Sequence, residues 1–225
     1  ASCLVGSEMC IRDRSSLGIG SIRGILANTP DVNEVDIMPL GYATFLYDCN
    51  GNQIRKLAAP NANRLPVSID QIPEDLQHAV VAIEDERFYD HNGIDLKGIV
   101  RALVADVRTR DFSQGASTLT QQLIKNNVLN EQWANENDSN ISKIEKMERQ
   151  VQRKIQEQYL AIELEKKVND KNWILENYLN SINLGSNTLG VQAAAQRYFG
   201  KDVSKLTLSE CAVTVSYTHL TLPTN

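Results

Sequence analysis

Residues 74–93 read EDLQHAVVAIEDERFYDHNG, and this stretch is the best guide to the fold. Its apolar residues recur at the spacing that places them on one face of an α-helix: Leu76, Ala79, Val80 and Ile83. Pro73 suits the first turn of that helix, and Glu84 lies on the edge of the apolar face near the helix end. A carboxylate that is partly out of water can take up a proton near neutral pH, so Glu84 is a candidate general base. An ordinary acidic helix end, followed by a hydrogen-bonded His91, would show the same residues.

The predicted fold is mainly α, with a small N-terminal β-hairpin element. Residues 42–57, YATFLYDCNGNQIRKL, alternate β-forming residues around Asn50-Gly51. This pair is typical of a type I′ turn, in which both central residues need a positive φ. Apolar spacing predicts helices over 99–107 (well buried), 117–129, 142 to about 167, 171–179 and 191–198, with an exposed loop at 131–142. Two pairs have the spacing of a capping box: Ser142 with Glu145, and Thr207 with Glu210.

Composition excludes several classes of protein. The chain has 225 residues, 42% of them hydrophobic, which is enough to bury a core and too many for a disordered chain. Its 23 Lys and Arg residues against 28 Asp and Glu give a net charge of −5, which argues against a nucleic-acid binder. No stretch approaches the roughly 18–20 uninterrupted apolar residues of a membrane span. The cysteines show neither metal-binding spacing nor a disulfide framework: Cys3, Cys10, Cys49 and Cys211.

A second candidate cluster is GASTLTQQ at 115–122, followed by Lys125. Small hydroxyl residues at a helix start leave backbone N–H groups facing outward, and such groups bind anions such as phosphate. The simpler interpretation is that Ser117 or Thr118 caps the helix.

A third candidate cluster is RKIQE at 153–157. Arg153 and Glu157 are four residues apart and share one helix face, with Lys154 beside them. The functional interpretation is a cationic edge with a carboxylate next to it, whereas the simpler one is an exposed ion pair that contributes little.

The order of these clusters is more specific than any one of them. Five motifs follow one another in the chain: EDERFYDHNG (84–93), GASTLTQQ (115–122), RKIQE (153–157), KNWILENYLN (171–180) and RYFGK (197–201). This series resembles glycosyltransferase family 51, the peptidoglycan glycosyltransferase domain of bifunctional penicillin-binding proteins and monofunctional transglycosylases. The resemblance runs from about Ile25 to Ala212 and implies a lysozyme-like, mainly α fold with two lobes around a cleft.

The resemblance also implies a reaction. Such enzymes polymerise lipid II, the undecaprenyl-diphosphate-linked disaccharide-pentapeptide, by a single displacement with inversion. The 4-hydroxyl of an acceptor attacks the anomeric carbon of the growing glycan strand, and undecaprenyl diphosphate leaves. By its position in the motif, Glu84 is the base that removes the hydroxyl proton.

The leaving diphosphate is a stable anion that needs positive charge rather than a general acid. The resemblance assigns that charge to Lys125, Arg153, Lys154 and the helix start at Ser117 and Thr118, with a divalent cation (Mg²⁺ or Mn²⁺) bound at the diphosphate. Glu157 is expected to organise these cations or the metal. Further residues are expected to position the substrate or hold the cleft: Asp85, Phe88, His91, Thr118, Gln121 and Gln122.

The sequence divides into four segments. Residues 1–14 and 214–225 resemble translated sequencing adapters and are expected to be non-native. Between them, 15–65 form an N-terminal region with the hairpin, and 66–213 form a glycosyltransferase domain that we expect to be truncated at its C-terminal end. The resemblance implies work at the membrane surface, on the extracytoplasmic face of the bacterial cytoplasmic membrane. It also implies an N-terminal anchor helix missing from this chain, and leaves open whether a transpeptidase domain followed.

Two other functions compete with the polymerase. A glycan-cleaving enzyme on a related lysozyme-like fold needs an acidic carboxyl to protonate a sugar leaving group, and has no use for cations aimed at a diphosphate. A non-catalytic glycan-binding remnant would not need both Glu84 and Glu157. The cations Lys125, Arg153 and Lys154 therefore favour the polymerase.

Overall fold

The structure, a computed structural model, describes most of the chain between residues 22 and 219. The described residues are 22–35, 37–39, 41–58, 62–109, 117–129, 142–185 and 188–219, with the side chains of 103–109 left out. The predictions for 1–14, for the polar stretch 131–141 and for 220–225 lie outside these residues.

The predicted hairpin is present, but its turn differs from the expected type. Two antiparallel strands form it: β1 (Thr44–Tyr47) and β2 (Gln53–Leu57). Gly51 has a φ of +83°, whereas Asn50 has no positive φ, so the type I′ prediction is wrong. Asp48 accounts for the difference, because its Oδ1 accepts hydrogen bonds from the backbone N–H groups of Asn50 and Asn52 at 2.9 and 2.8 Å. This side chain stabilises a longer turn that needs a positive φ only at its glycine.

The rest of the described fold is helical, as predicted. The α-helices after the hairpin are α1 (Glu74–Glu84), α2 (Leu96–Thr109), α3 (Leu119–Ile124), α4 (Lys143–Val168), α5 (Lys171–Ser181), α6 (Val191–Ala194) and α7 (Leu208–His219). Two π-helical segments continue α3 and α6: Lys125–Leu129 and Ala195–Phe199. Two short 3₁₀ turns also occur: Ile69–Gln71 and Val203–Lys205.

Helix α3 lies at the centre of the core, where it packs against both α4 and α5. Its apolar side chains are fully buried: Leu119, Leu123 and Ile124. Helix α5 is almost as apolar on its inner face, with Ile174, Leu175, Tyr178 and Leu179 buried. Burial of each such side chain stabilises the fold by roughly 1.5–3 kcal/mol. The residues before and after α3 are therefore held by a rigid core.

Two apolar residues do not lie where the periodicity places them. Ile83 is 55% exposed, because the buried face of α1 runs through Leu76, Val80 and Val81 instead. Val100 is 60% exposed, so the prediction of a well-buried 99–107 helix is wrong at this position. Ala102, about 200° further around the same helix, is buried instead.

Side chains cap several helices as the sequence predicts. Thr118 accepts the N–H of Gln121 at 3.2 Å, and Ser142 accepts the N–H of Glu145 at 3.2 Å. At the start of α7, Glu210 accepts the backbone N–H of Thr207 at 2.8 Å. These bonds satisfy donors that a helix start leaves without a partner in the helix itself.

Helix α7 continues past the expected domain boundary at residue 214. Val215 is fully buried, and the ring of Tyr217 stacks on that of Tyr198 with centroids 4.7 Å apart. The foreign origin of 214–225 stays a prediction. In the described part of the chain, no helix combines the length and the apolar character needed to cross a bilayer.

Candidate active site

Glu84 is the last residue of α1, at the point where the chain turns into the loop 85–95. Its side chain is half-buried. Oε2 accepts a hydrogen bond from Gln122 Nε2 at 3.1 Å, and Oε1 accepts one from Thr218 Oγ1 at 3.0 Å. The helix end thus presents a carboxylate that α3 and α7 orient.

Glu84 lines a cavity of about 130 Å³ between the end of α1, the start of α2 and the start of α3. The residues around this Glu84 cavity are Ala82, Ile83, Glu84, Asp85, Glu86, Arg87, Asp95, Gly98, Arg101, Ser117 and Thr118. Its lining is mostly polar. On one side an ion pair joins Arg87 to Asp95, and this contact raises the pKa of Arg87 and lowers that of Asp95. The cavity is therefore a charged and solvated space next to the candidate base.

Ser117 connects the Glu84 cavity to the cations of α4. Its Oγ accepts a hydrogen bond from Lys154 Nζ at 2.7 Å, and the same Nζ lies 2.7 Å from Glu157 Oε2. Arg153 Nε lies 3.2 Å from Glu157 Oε1, an ion-pair distance whose angle does not make a hydrogen bond. The side chain of Glu157 is only 1% exposed, so it needs these two cations to offset the free-energy cost of burying its charge.

Lys125 takes a different position. It begins the π-helical segment after α3, and its side chain is exposed. It does not line the Glu84 cavity. It lies three residues after Gln122, so both residues belong to the same continuous helical stretch. The structure thus brings Arg153, Lys154 and Glu157 together with Ser117 and leaves Lys125 further out.

Asp85 joins the loop to α3. His91 Nε2 lies 3.0 Å from both carboxylate oxygens of Asp85, and Oδ2 also accepts the N–H of Leu119 at 3.0 Å. Asp85 is only 6% exposed. With Thr118 as the cap of Gln121, two N–H groups at the start of α3 are already used inside the protein. The expectation that this helix start offers its N–H groups to a phosphate is therefore wrong for these two groups.

Of the remaining residues expected to position substrate, Thr118 lines the Glu84 cavity, whereas Phe88, His91, Gln121 and Gln122 do not. Phe88 is fully buried. Thr118 Oγ1 and Gln121 Nε2 both donate to the carbonyl of Gly93, at 2.8 and 3.4 Å. Gly93 has a φ of +86°, and a Cβ there would lie 2.6 Å from the carbonyl oxygen of Ala161 in α4. These contacts hold the loop against α3 and α4, and substrate contact by Phe88, Gln121 and His91 stays a prediction.

A buried ion pair that the sequence did not indicate supports the same loop. Glu165 accepts hydrogen bonds from Thr120 Oγ1 at 2.6 Å and from Lys171 Nζ at 2.8 Å. Lys171 Nζ also donates to the carbonyl of His91 at 2.7 Å and lies 4.6 Å from the ring centroid of Phe88. Lys171 begins the fourth motif, but Glu165 has no motif around it, so only the fold shows the pair.

Tyr178 is a second residue whose role the sequence did not show. Its hydroxyl donates to Gln122 Oε1 at 3.2 Å, and its side chain is almost fully buried. Burial, together with the nearby charge of Glu84, raises the pKa of Tyr178 well above its ordinary value. The phenol is therefore a neutral hydrogen-bond donor beside the candidate base.

Known proteins match most of this chain. Residues 50–221 match the family described as Transglycosylase. Over 197 residues the chain is 40% identical to penicillin-binding protein 1A of Clostridium botulinum (strain Langeland), an alignment that covers 86% of this chain and 22% of that protein. Over 201 residues it is 41% identical to penicillin-binding protein 1A of Escherichia coli (strain K12), covering 88% of this chain and 21% of that protein.

The chain thus spans about a fifth of the length of these relatives. The family match covers more than half of the chain and includes all five motifs. The chain belongs to the transglycosylase family and is a peptidoglycan glycosyltransferase domain with the lysozyme-like fold that its motifs indicate.

Proposed function

We propose that this chain polymerises lipid II into β-1,4 glycan strands. One observation carries the proposal: Glu84 and Ser117 line the same cavity, and Ser117 is hydrogen bonded to the Lys154–Glu157 ion pair. A carboxylate therefore lines the cavity, and Lys154, which does not line it, contacts its wall through Ser117. A reaction between a sugar hydroxyl and a sugar diphosphate needs both a carboxylate and a cation.

Glu84 removes the proton of the acceptor 4-hydroxyl while that oxygen forms its bond to the anomeric carbon of the growing glycan strand. The bond from that carbon to the diphosphate breaks at the same time, with inversion. Gln122 donates to Oε2 of Glu84 and so orients the carboxylate. The cations of α4 favour this reaction over glycan cleavage, which has no diphosphate leaving group to stabilise.

The cations of α4 stabilise the leaving undecaprenyl diphosphate. Lys154 is the strongest candidate, because its side chain is 44% exposed and reaches Ser117 at the wall of the Glu84 cavity. Arg153 is 21% exposed and is held beside it by Glu157. Lys125 is exposed at the end of α3 and is proposed to add positive charge for the diphosphate.

A divalent cation, Mg²⁺ or Mn²⁺, is proposed to bind together with the diphosphate. Among the described residues, no group of three or more His, Cys, Asp or Glu side chains could hold a metal ion in the absence of the diphosphate. Glu157 fits a supporting role, because its buried Oε1 accepts no hydrogen bond from the residues that the structure describes. When bound, the cation would neutralise charge on the leaving group.

The surrounding assembly is proposed from the family. We place the enzyme at the outer face of the cytoplasmic membrane, where a lipid-linked substrate is held, and propose that the whole protein carries a transpeptidase domain. The relatives are named penicillin-binding proteins, and this chain matches only 21–22% of their length.

Polymerisation of purified lipid II by the 225-residue chain tests this function, with Mg²⁺ and with Mn²⁺. Glu84→Gln should lower the rate by about 100-fold or more, the usual contribution of a general base. Glu74→Gln, at the exposed start of the same helix, is the matched control and should retain the parent rate. Equal rates in the parent and Glu84→Gln would reject the assigned base, and cleavage of finished glycan without polymerisation would favour the lysozyme-like alternative.

A further inference from the structure

We propose that Tyr178 and Gln122 are positioning residues that orient the Glu84 carboxylate, with Tyr178 acting through the Gln122 amide. This inference rests on the proposed function, because it concerns the base of that reaction. It assigns Gln122 a role toward the protein rather than toward the substrate.

The three side chains form one hydrogen-bonded line from α5 through α3 to α1. Tyr178 OH donates to Gln122 Oε1 at 3.2 Å, and Gln122 Nε2 donates to Glu84 Oε2 at 3.1 Å. Tyr178 is 1% exposed, so its hydroxyl lies in the core rather than in water. Its helix packs directly against the helix that carries Gln122.

The chemistry of the three groups fixes the direction of this line. An ionised carboxylate can only accept hydrogen bonds, so Glu84 requires the NH₂ end of the Gln122 amide. The carbonyl end must then face a donor, and the Tyr178 hydroxyl is placed there. A flipped amide would set its oxygen against the carboxylate and leave the buried hydroxyl without an acceptor, at a cost of about 1–3 kcal/mol.

Burial and the nearby charge of Glu84 raise the pKa of Tyr178, which is consistent with a phenol that donates its proton to Gln122. Glu84 needs such support because α1 ends there. The next residue, Asp85, has a φ of −158° and leaves the helix. Thr218 also donates to Glu84, but it lies in the segment expected to be foreign, so the proposed role does not depend on it.

A double-mutant cycle on the turnover number tests the proposal. Tyr178→Phe removes one hydroxyl and keeps the ring, and Gln122→Met keeps the length of the side chain without its polar atoms. Gln122→Met should lower kcat about 10-fold, close to the effect of one lost hydrogen bond to a charged group, and Tyr178→Phe about 3- to 10-fold, because it removes a bond to a neutral amide; KM should stay within about twofold. In the Gln122→Met background, Tyr178→Phe should have no further effect on kcat, because the hydrogen-bonded connection to Glu84 is gone.

Tyr47→Phe is the matched control. Tyr47 is 58% exposed on strand β1 and does not line the Glu84 cavity, so Tyr47→Phe should leave kcat unchanged. Losses in kcat that multiply in the Tyr178 and Gln122 double variant would overturn the proposal. A rise in KM with kcat unchanged would also overturn the proposal, because it would indicate that Gln122 binds the substrate.

A measurement without substrate separates this inference from the proposed function. The side-chain NH₂ resonances of Gln122, identified by their loss in Gln122→Met, should shift in Glu84→Gln and again in Tyr178→Phe. These shifts would support the hydrogen-bonded line even in a chain that does not polymerise lipid II, an outcome that counts only against the proposed function. Resonances that move in neither variant would overturn the inference.

Discussion

Replacing Lys171 with methionine should leave the buried carboxylate of Glu165 without its cation and destabilise the domain. Lys171→Met keeps most of the aliphatic volume but removes the ammonium group, which contacts both oxygens of Glu165 at 2.7 and 2.8 Å and the carbonyl of His91 at 2.7 Å. Glu165 would then remain only 5% exposed, and its charge would keep the hydrogen bond from Thr120 but no cation. The charge would have lost the partner that offsets its burial.

The expected loss follows from this geometry. Breaking a buried pair by removing one partner costs about 3–5 kcal/mol. Lys171 is 21% exposed, so water can reach part of the site, and we expect a value near the lower limit, about 3 kcal/mol. With a urea m-value of about 2–3 kcal/mol per molar, the unfolding midpoint should fall by about 1–1.5 M.

Equilibrium unfolding in urea, followed by circular dichroism, measures this shift. Arg149→Met removes the exposed pair with Glu145 on the same helix as Glu165, and its midpoint should fall by less than about 0.3 M. The double variant Glu165→Gln/Lys171→Met leaves no unpaired charge and should be more stable than Lys171→Met alone. A midpoint shift below about 0.3 M for Lys171→Met, or a double variant less stable than the single one, would refute the reasoning.

Three further outcomes are expected. Gly93→Ala should lower the free energy of unfolding by about 3 kcal/mol or more, measured in urea. The positive φ is strained for alanine, and the new Cβ would lie 2.6 Å from a backbone carbonyl oxygen of α4. A loss under about 1 kcal/mol would contradict this. Lys201 and the start of α7 lower the pKa of Glu210 from 4.5 to about 2, so this contact stabilises the fold above pH 4.5 and is lost as the pH falls toward 2. The difference in Tm between the parent and Glu210→Gln should therefore shrink over that interval, and a constant difference would contradict the assignment. Lys154→Met should lower polymerisation about 10-fold or more and also lower Tm, because the buried Glu157 loses one of its two cations. Ser117→Ala should have a smaller effect on the rate, since Ser117 only orients the ammonium group; a polymerisation rate that stays at the parent value in Lys154→Met would contradict its role at the diphosphate.

Local signals in the sequence predict much of this fold. The apolar spacing of α1, the capping pair at Ser142 and Glu145, and the hairpin around Gly51 each depend on residues a few positions apart. The predictions that were wrong depend on side-chain and packing contacts that such local patterns do not include. Asp48 changes the turn type through its side chain, and the exposure of Ile83 follows from how α1 packs on its neighbours.

In the candidate site, too, local patterns predict some residues, and only the packed fold shows the others. Motif order identifies Glu84 and the cations of α4, because each lies in a recognisable local pattern. It does not show that Asp85 and Thr118 already use two N–H groups at the start of α3. Nor does it show Glu165, whose partners Thr120 and Lys171 come from two other helices. Contacts between residues far apart in the chain become visible only once the helices are packed.

Glu84 is proposed to act as the base while the cations of α4 hold the diphosphate. The most direct test of this central claim is to measure binding and turnover of lipid II by Glu84→Gln side by side. The substitution removes the proton acceptor but leaves Ser117, Lys154 and Glu157 in place, so the affinity for lipid II should stay within about twofold while turnover falls about 100-fold or more. A variant that turns over at more than about a tenth of the parent rate would contradict the assigned chemistry. So would a variant that loses turnover only because it no longer binds lipid II.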